Sequence, residues 1–183
     1  MKKIVLAAIA ALALNFTQAQ SFEIDVKNSL LNWTGYAEVG GYSQTGTLNV
    51  SGGTMELTDG SLTKAEVVVN MKTITSEEKD LENHLKQEDF FYVKKFPEAM
   101  LNFKGMDNAS FLFELTIRGI TQTLEFPIDL EKTESGYTVT GKVTIDRTKF
   151  DIKYNSSSYF QDLGSYAIKN EFDLEYRLVF IKK

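Results

Sequence analysis

His84 is the only histidine in the 183 residues, and there is no cysteine. A Ser-His-Asp relay, an imidazole metal cluster or a general base near neutral pH would therefore have to use this one side chain. It follows Asp80 by four residues on a segment with helical signals, which reads most simply as an i,i+4 pair on a solvated helix face. Asp146, Arg147 and Asp151 have the makings of an acid pair with a cationic clamp, yet they read more simply as a strand end and turn, salt-bridged at the surface. Ser156-Ser157-Ser158, between Tyr154 and Tyr159-Phe160, reads as a mobile loop. No HExxH, glycine-rich phosphate loop or calcium-loop pattern occurs. The absence of cysteine excludes disulfides, thiolate catalysis and thiolate metal sites. Nothing in these residues supports an enzyme, and no cofactor or metal is expected.

The chemistry the chain does offer is apolar burial. The stretch Thr75–Phe103 is the one piece that does not alternate with period two. Thr75 and Glu78 have capping-box spacing, Ser76 can also cap, and Glu77 and Glu78 sit where a helix start favours negative charge, so the pattern predicts about three helical turns within an insertion over about residues 76–90. Leu81 and Leu85 form a narrow apolar stripe. The segment then runs into Phe90, Phe91, Tyr92 and Phe96, and Pro97 turns the chain extended before the next strand. So much aromatic surface needs an apolar host.

Outside this stretch the chain reads as β-structure. Phe22, Ile24 and Val26 alternate with acids, and Leu31 and Trp33 begin a run ending at Gly40-Gly41. Leu48 and Val50 share a face in the next run, which Ser51-Gly52-Gly53 is expected to break before Met55–Leu57. Ala65, Val67, Val69 and Met71 form a clean inner row. Phe111, Phe113, Leu115 and Ile117 form another, ending at an Arg118-Gly119 hairpin. Leu124, Phe126, Ile128 and Leu130 follow, with Pro127 implying an edge, a bulge or a corner. Tyr137 to Ile145 and the long run to Phe180 complete about eight half-apolar strands. These features predict an all-β fold, an antiparallel barrel of about eight strands with one α-helical insertion. Ala65, Ala99 and Gly141 on the inferred inner face would leave volume among the aromatics, although filled barrels also mix small and large residues.

His84-Leu85-Lys86, Asp89-Phe90-Phe91-Tyr92-Val93, Lys95-Phe96-Pro97 and Phe103 resemble the signature of the YceI-like family of polyisoprenoid-binding proteins. Leu115–Thr121 resembles the family's hairpin, and Ile145–Ile152 its late strand and turn. The chain departs from that pattern at Asp151, where relatives often carry Gly, and near Tyr42-Ser43-Gln44, where many carry His. The resemblance implies a lipocalin-like barrel holding a long apolar ligand, an isoprenoid lipid, a quinone or a similar lipid, for storage or transport. The alternative is a filled, ligand-free structural or stress-related barrel. On the first reading the cavity wall is expected to include Leu85, Phe90, Phe91, Phe103, Phe113, Leu115, Phe150 and Phe172, with a headgroup near Arg147, Lys149 or the Ser156 loop.

Residues 1–19 read as a cleavable secretory signal peptide: Lys2 and Lys3, an apolar run from Ile4 to Leu14, then small residues before Gln20. Residues 20–183 are then expected to form one periplasmic, or extracellular, barrel domain. Loss of two lysines leaves 18 basic side chains against 25 acidic, hence a net charge of −7, and no nucleic-acid footprint. No later stretch is long enough for a spanning helix. An outer-membrane barrel is disfavoured by the mid-chain helix and the charged strands. Oligomeric state is not legible.

Overall fold

The computed structural model describes residues 19–183, so the signal-peptide reading lies outside the described residues except for Ala19. The strands are β1 (Ala19–Ile24), β2 (Leu30–Ala37), β3 (Ser43–Thr58), β4 (Ser61–Asn70), β5 (Glu98–Asp107), β6 (Ser110–Ile117), β7 (Ile120–Glu125), β8 (Asp129–Lys132), β9 (Gly136–Asp146) and β10 (Ile168–Lys182). The single α-helix among the described residues, α1, spans Lys79–Leu85. All strand pairings are antiparallel.

Ten strands make eight positions around the barrel. β1 and β2 lie end to end between β3 and β10, interrupted at residues 25–29. The interruption is stitched down: Asp25 N–H donates to the Val179 carbonyl, and Ser29 Oγ donates to the Asp25 carbonyl and accepts from Val179 N–H. β7 and β8 likewise form one bent strand. Its first half pairs with β6 and its second with β9, and Pro127 at the bend needs no ladder partner for an N–H it lacks. Pro127 thus marks a barrel corner.

The expected break at Ser51-Gly52-Gly53 is not there. β3 runs through it with a bulge between Val50 and Gly52, and a Cβ on Gly53 would lie 2.5 Å from the Glu66 carbonyl of β4. Glycine inside a strand here marks a close approach, not a turn.

The inner rows meet in one core containing Phe22, Leu57, Val67, Phe113, Ile145 and Phe180, while most charged residues of the strands point outward. That is the reverse of a lipid-facing barrel. No helix among the described residues is long and apolar enough to cross a membrane.

Candidate ligand cavity

One end of the barrel is covered by residues 71–97, and their attachment begins at Thr75. Its N–H donates to the Thr47 carbonyl (3.0 Å), its Oγ1 accepts from Thr47 N–H (2.9 Å), and its carbonyl accepts from the Trp33 indole N–H (3.0 Å). Gly46 makes this possible, since a Cβ there would stand 1.9 Å from the Thr75 carbonyl oxygen. Thr75 is therefore committed to β3 and does not cap the helix. α1 has only seven residues, with Glu78 at its N-cap position and no side-chain cap, although Ser76 Oγ accepts weakly from Glu78 N–H (3.4 Å). The expected three turns shorten because the chain leaves the helix at Lys86 to form tight turns. In these, Phe91 N–H donates to the Leu85 carbonyl, and Tyr92 adopts a positive φ of 47°. They turn Leu85, Phe90, Phe91 and Val93 inward, all buried. Each such side chain contributes about 1.5–3 kcal/mol, so the covering segment is held mainly by burial.

Under this cover lies a cavity of about 360 Å³. Leu31, Trp33, Leu48, Met71, Ile74, Leu85, Phe90, Phe91, Ile117 and Ile145 form much of its apolar wall. Its polar margin comes from the β2–β3 hairpin, Tyr36, Tyr42, Ser43 and Gln44, and from Ser165, Lys169 and Glu171 near the start of β10. Tyr42 is exposed there, marking the opening. A second cavity of about 80 Å³, wholly apolar, lies among Met55, Ala65, Val67, Phe113, Phe126 and Tyr176.

The eight residues expected to line a site divide between these places. Leu85, Phe90, Phe91 and Phe172 line the larger cavity, Leu115 lines both, and Phe113 lines only the smaller. Phe103 lines neither and packs against Phe111 and Phe113. Phe150, 1% exposed, lies under the turn that follows β9 and also lines neither. Of the small residues, Ala99 lines the larger cavity and Ala65 the smaller. Gly141 leaves no void, because the Tyr176 hydroxyl passes it to donate to the Pro127 carbonyl. Burial pushes the Tyr176 phenol up to about 12, so it remains a donor.

The candidate chemical groups take other positions than their spacing suggested. His84 Nε2 pairs with Asp89 (2.8 Å), not Asp80, because the turns after α1 bring Asp89 back beside it. Its ring also meets Tyr154 edge-on. Asp146 Oδ1 accepts from the backbone and hydroxyl of Thr148, and Asp151 pairs with Lys153. Asp151 has a φ of 61°, a left-handed conformation that Asp tolerates and Gly adopts freely.

Arg147 is not a surface salt bridge. It is 3% exposed and lines the larger cavity, where its guanidinium donates to the carbonyls of Lys169 (3.0 Å), Ile152 (2.8 Å) and Ile168 (3.1 Å). No carboxylate hydrogen-bonds it among the described residues. Burial lowers its pKa from the usual arginine value, opposed by Asp146 and Glu171. Lys149 is exposed, and Ser156 is fully buried with its hydroxyl donated to Asn170, so the serine run is tied down where a mobile loop was expected.

Residues 22–180 match the model of the YceI-like domain. The chain belongs to the YceI-like family. Curated relatives include UPF0312 proteins of Staphylococcus aureus strains USA300 and NCTC 8325, each 28% identical over 109 residues, or 56% of this chain. The chain spans 64% of the length of those relatives. Among solved structures, a polyisoprenoid-binding domain from Saccharophagus degradans superposes with a TM-score of 0.70 at 9% identity, covering 90% of this chain and 99% of that one. BcnA of Burkholderia cenocepacia gives 0.62 at 14% identity, covering 85% and 98%. The YceI protein of Campylobacter jejuni gives 0.53 at 16%, covering 100% and 99%. At these identities the likeness establishes the YceI-like, lipocalin-like barrel fold.

Proposed function

We propose that this YceI-like barrel is an exported binding protein, not an enzyme, that holds one apolar chain in its larger cavity, a polyisoprenoid, quinone or similar lipid, for storage or transport in the periplasm or outside the cell. The observation that carries the reading is the cavity of about 360 Å³ with an almost wholly apolar wall and a polar margin at one opening. Ligand sites commonly have this size and this division of surface. Each methylene moved from water into such a wall contributes about 0.8 kcal/mol, enough for tight binding by a chain alone. A polar end of the ligand would lie toward Arg147, whose buried guanidinium lacks a carboxylate partner. The family membership and the likeness to a polyisoprenoid-binding domain support the ligand class. The leader-like residues 1–19 support export.

Trp33 is the only tryptophan and lines the cavity, so its emission reports occupancy. Titration with farnesol should change that emission and saturate at one molecule per chain. Ala99→Leu adds about three carbons to the cavity and should weaken binding at least tenfold while the melting temperature holds. Unchanged emission together with no retained farnesol would favour the filled, ligand-free barrel.

A further inference from the structure

The two cavities meet at a waist. Leu31 of β2, Val69 of β4, Leu115 of β6 and Leu174 of β10 line both of them, so a ring of four aliphatic side chains from four strands stands where the larger space gives way to the smaller. Leu31 and Leu115 are buried, while Val69 and Leu174 keep partial accessibility. Resting on the ligand reading above, we propose that this layer is a chain-length stop: a ligand enters at the Tyr42 opening, extends to the waist and ends there.

Volume sets the length. An apolar cavity of about 150 Å³ holds benzene, which implies about 25 Å³ per carbon. The larger cavity, about 360 Å³, then accepts about 14 carbons. That is close to three isoprene units. The space beyond the waist, about 80 Å³, would take about three more carbons, but only if the layer opened. Close-packed interiors resist such opening, and the four side chains come from four strands fixed by ladders on both sides. A longer chain must leave its remainder at the mouth, where additional methylenes gain little burial.

Removing one side chain from the layer changes this. Leu115→Ala deletes about three carbons and joins the cavities, giving room for about 20 carbons, close to four isoprene units. Val69→Ala opens the same layer from another strand with a smaller deletion. Ala65 lines only the smaller cavity, so Ala65→Leu refills that space without touching the larger one.

The probes are geraniol, farnesol and geranylgeraniol, alcohols of two, three and four isoprene units, titrated against the full-length protein by Trp33 emission, with thermal melts on every variant. Wild type should gain strongly from geraniol to farnesol and change less than about threefold from farnesol to geranylgeraniol. Leu115→Ala should prefer geranylgeraniol over farnesol by about tenfold or more, Val69→Ala should shift the same way, and Ala65→Leu on the Leu115→Ala background should cancel the preference. A gain of tenfold or more on the last step in wild type would overturn the stop, as would flat profiles in both opened variants that remain folded. Should Leu115→Ala not fold, Val69→Ala decides by the same criterion. Failure of all three alcohols to bind wild type would instead overturn the underlying ligand reading.

Discussion

At the scale of single residues, Arg147, Gly46 and Asp173 tie chemistry to the cavity. The Arg147 guanidinium is held by three carbonyls at the cavity wall, and a buried cation gains most from an anionic partner when none is already bonded to it. Palmitate should therefore bind more tightly than methyl palmitate by about tenfold, and Arg147→Gln should erase the difference. Equal affinity of wild type for acid and ester would remove Arg147 from any headgroup contact. Gly46 admits the Thr75 carbonyl and the Trp33 indole at distances that no Cβ allows. Gly46→Ala should cost about 2–4 kcal/mol in chemical denaturation and shift Trp33 emission, because the indole loses its hydrogen bond.

Asp173 binds the mouth end of β2 to β9 and β10. Its carboxylate accepts from the Tyr36 hydroxyl (2.7 Å) and the Thr144 hydroxyl (2.7 Å) and pairs with Lys142 (3.0 Å). Chiefly through the Tyr36 bond, then Thr144 and Lys142, its pKa is lowered to about 2. A depressed folded-state pKa stabilises the protein above the unfolded value near 3.9, and that stabilisation is lost as pH falls through about 2. The contribution is about 1–2 kcal/mol after discounting for partial exposure. In urea denaturation Asp173→Asn should lower stability at pH 7 by that amount and flatten the loss between pH 4 and 2; an unchanged acid limb would show that other carboxylates dominate it.

At the scale of elements, the covering segment matters most. α1 is too short to be stable alone, so its position depends on Leu85, Phe90, Phe91 and Val93 and on the Thr75 clamp. The β6–β7 hairpin also holds it. Arg118 and Gly119 both have positive φ, the I′ geometry suited to a two-residue hairpin, and Arg118 Nη1 donates to the carbonyls of Phe90 (2.8 Å) and Asp151 (3.1 Å). Leu85→Asp places a carboxylate on the cavity wall at a cost of at least about 3 kcal/mol. Limited proteolysis should then cleave within residues 76–96 well before the barrel is cut. Unaltered protection would mean that the segment is held without Leu85.

The strands were legible because period two carries through them almost unbroken, and the inner rows through Val67, Phe113 and Ile145 are where alternation put them. The bulge at Gly52 and the short helix were not. A glycine pair reads as a turn unless the neighbouring strand is known to press against it, and Thr75 reads as a cap unless β3 is known to claim it. The site was legible only in part for a similar reason. Alternation says which side chains point inward but not which of them face a void, so Phe103 and Phe150 appeared equivalent to Phe91, while Trp33, Ile74 and Leu174 went unmarked as cavity wall. The inward turn of Arg147 had no signal, because a strand-end arginine beside two acids usually stays at the surface.

At the scale of the whole molecule, eight strand positions close around a space the chain does not fill, and one bound lipid would fill it. Native mass spectrometry of the protein as it occurs in its own cells, purified without organic solvent, tests this most directly. A barrel that holds one ligand should give a single adduct per protein with the mass of one single-chain lipid. It should be weaker in Phe91→Trp, which takes up part of the larger cavity, and unchanged in Phe113→Trp, which takes up space only in the smaller one. Bare protein mass for wild type, with no adduct after incubation with farnesol or palmitate, would contradict it.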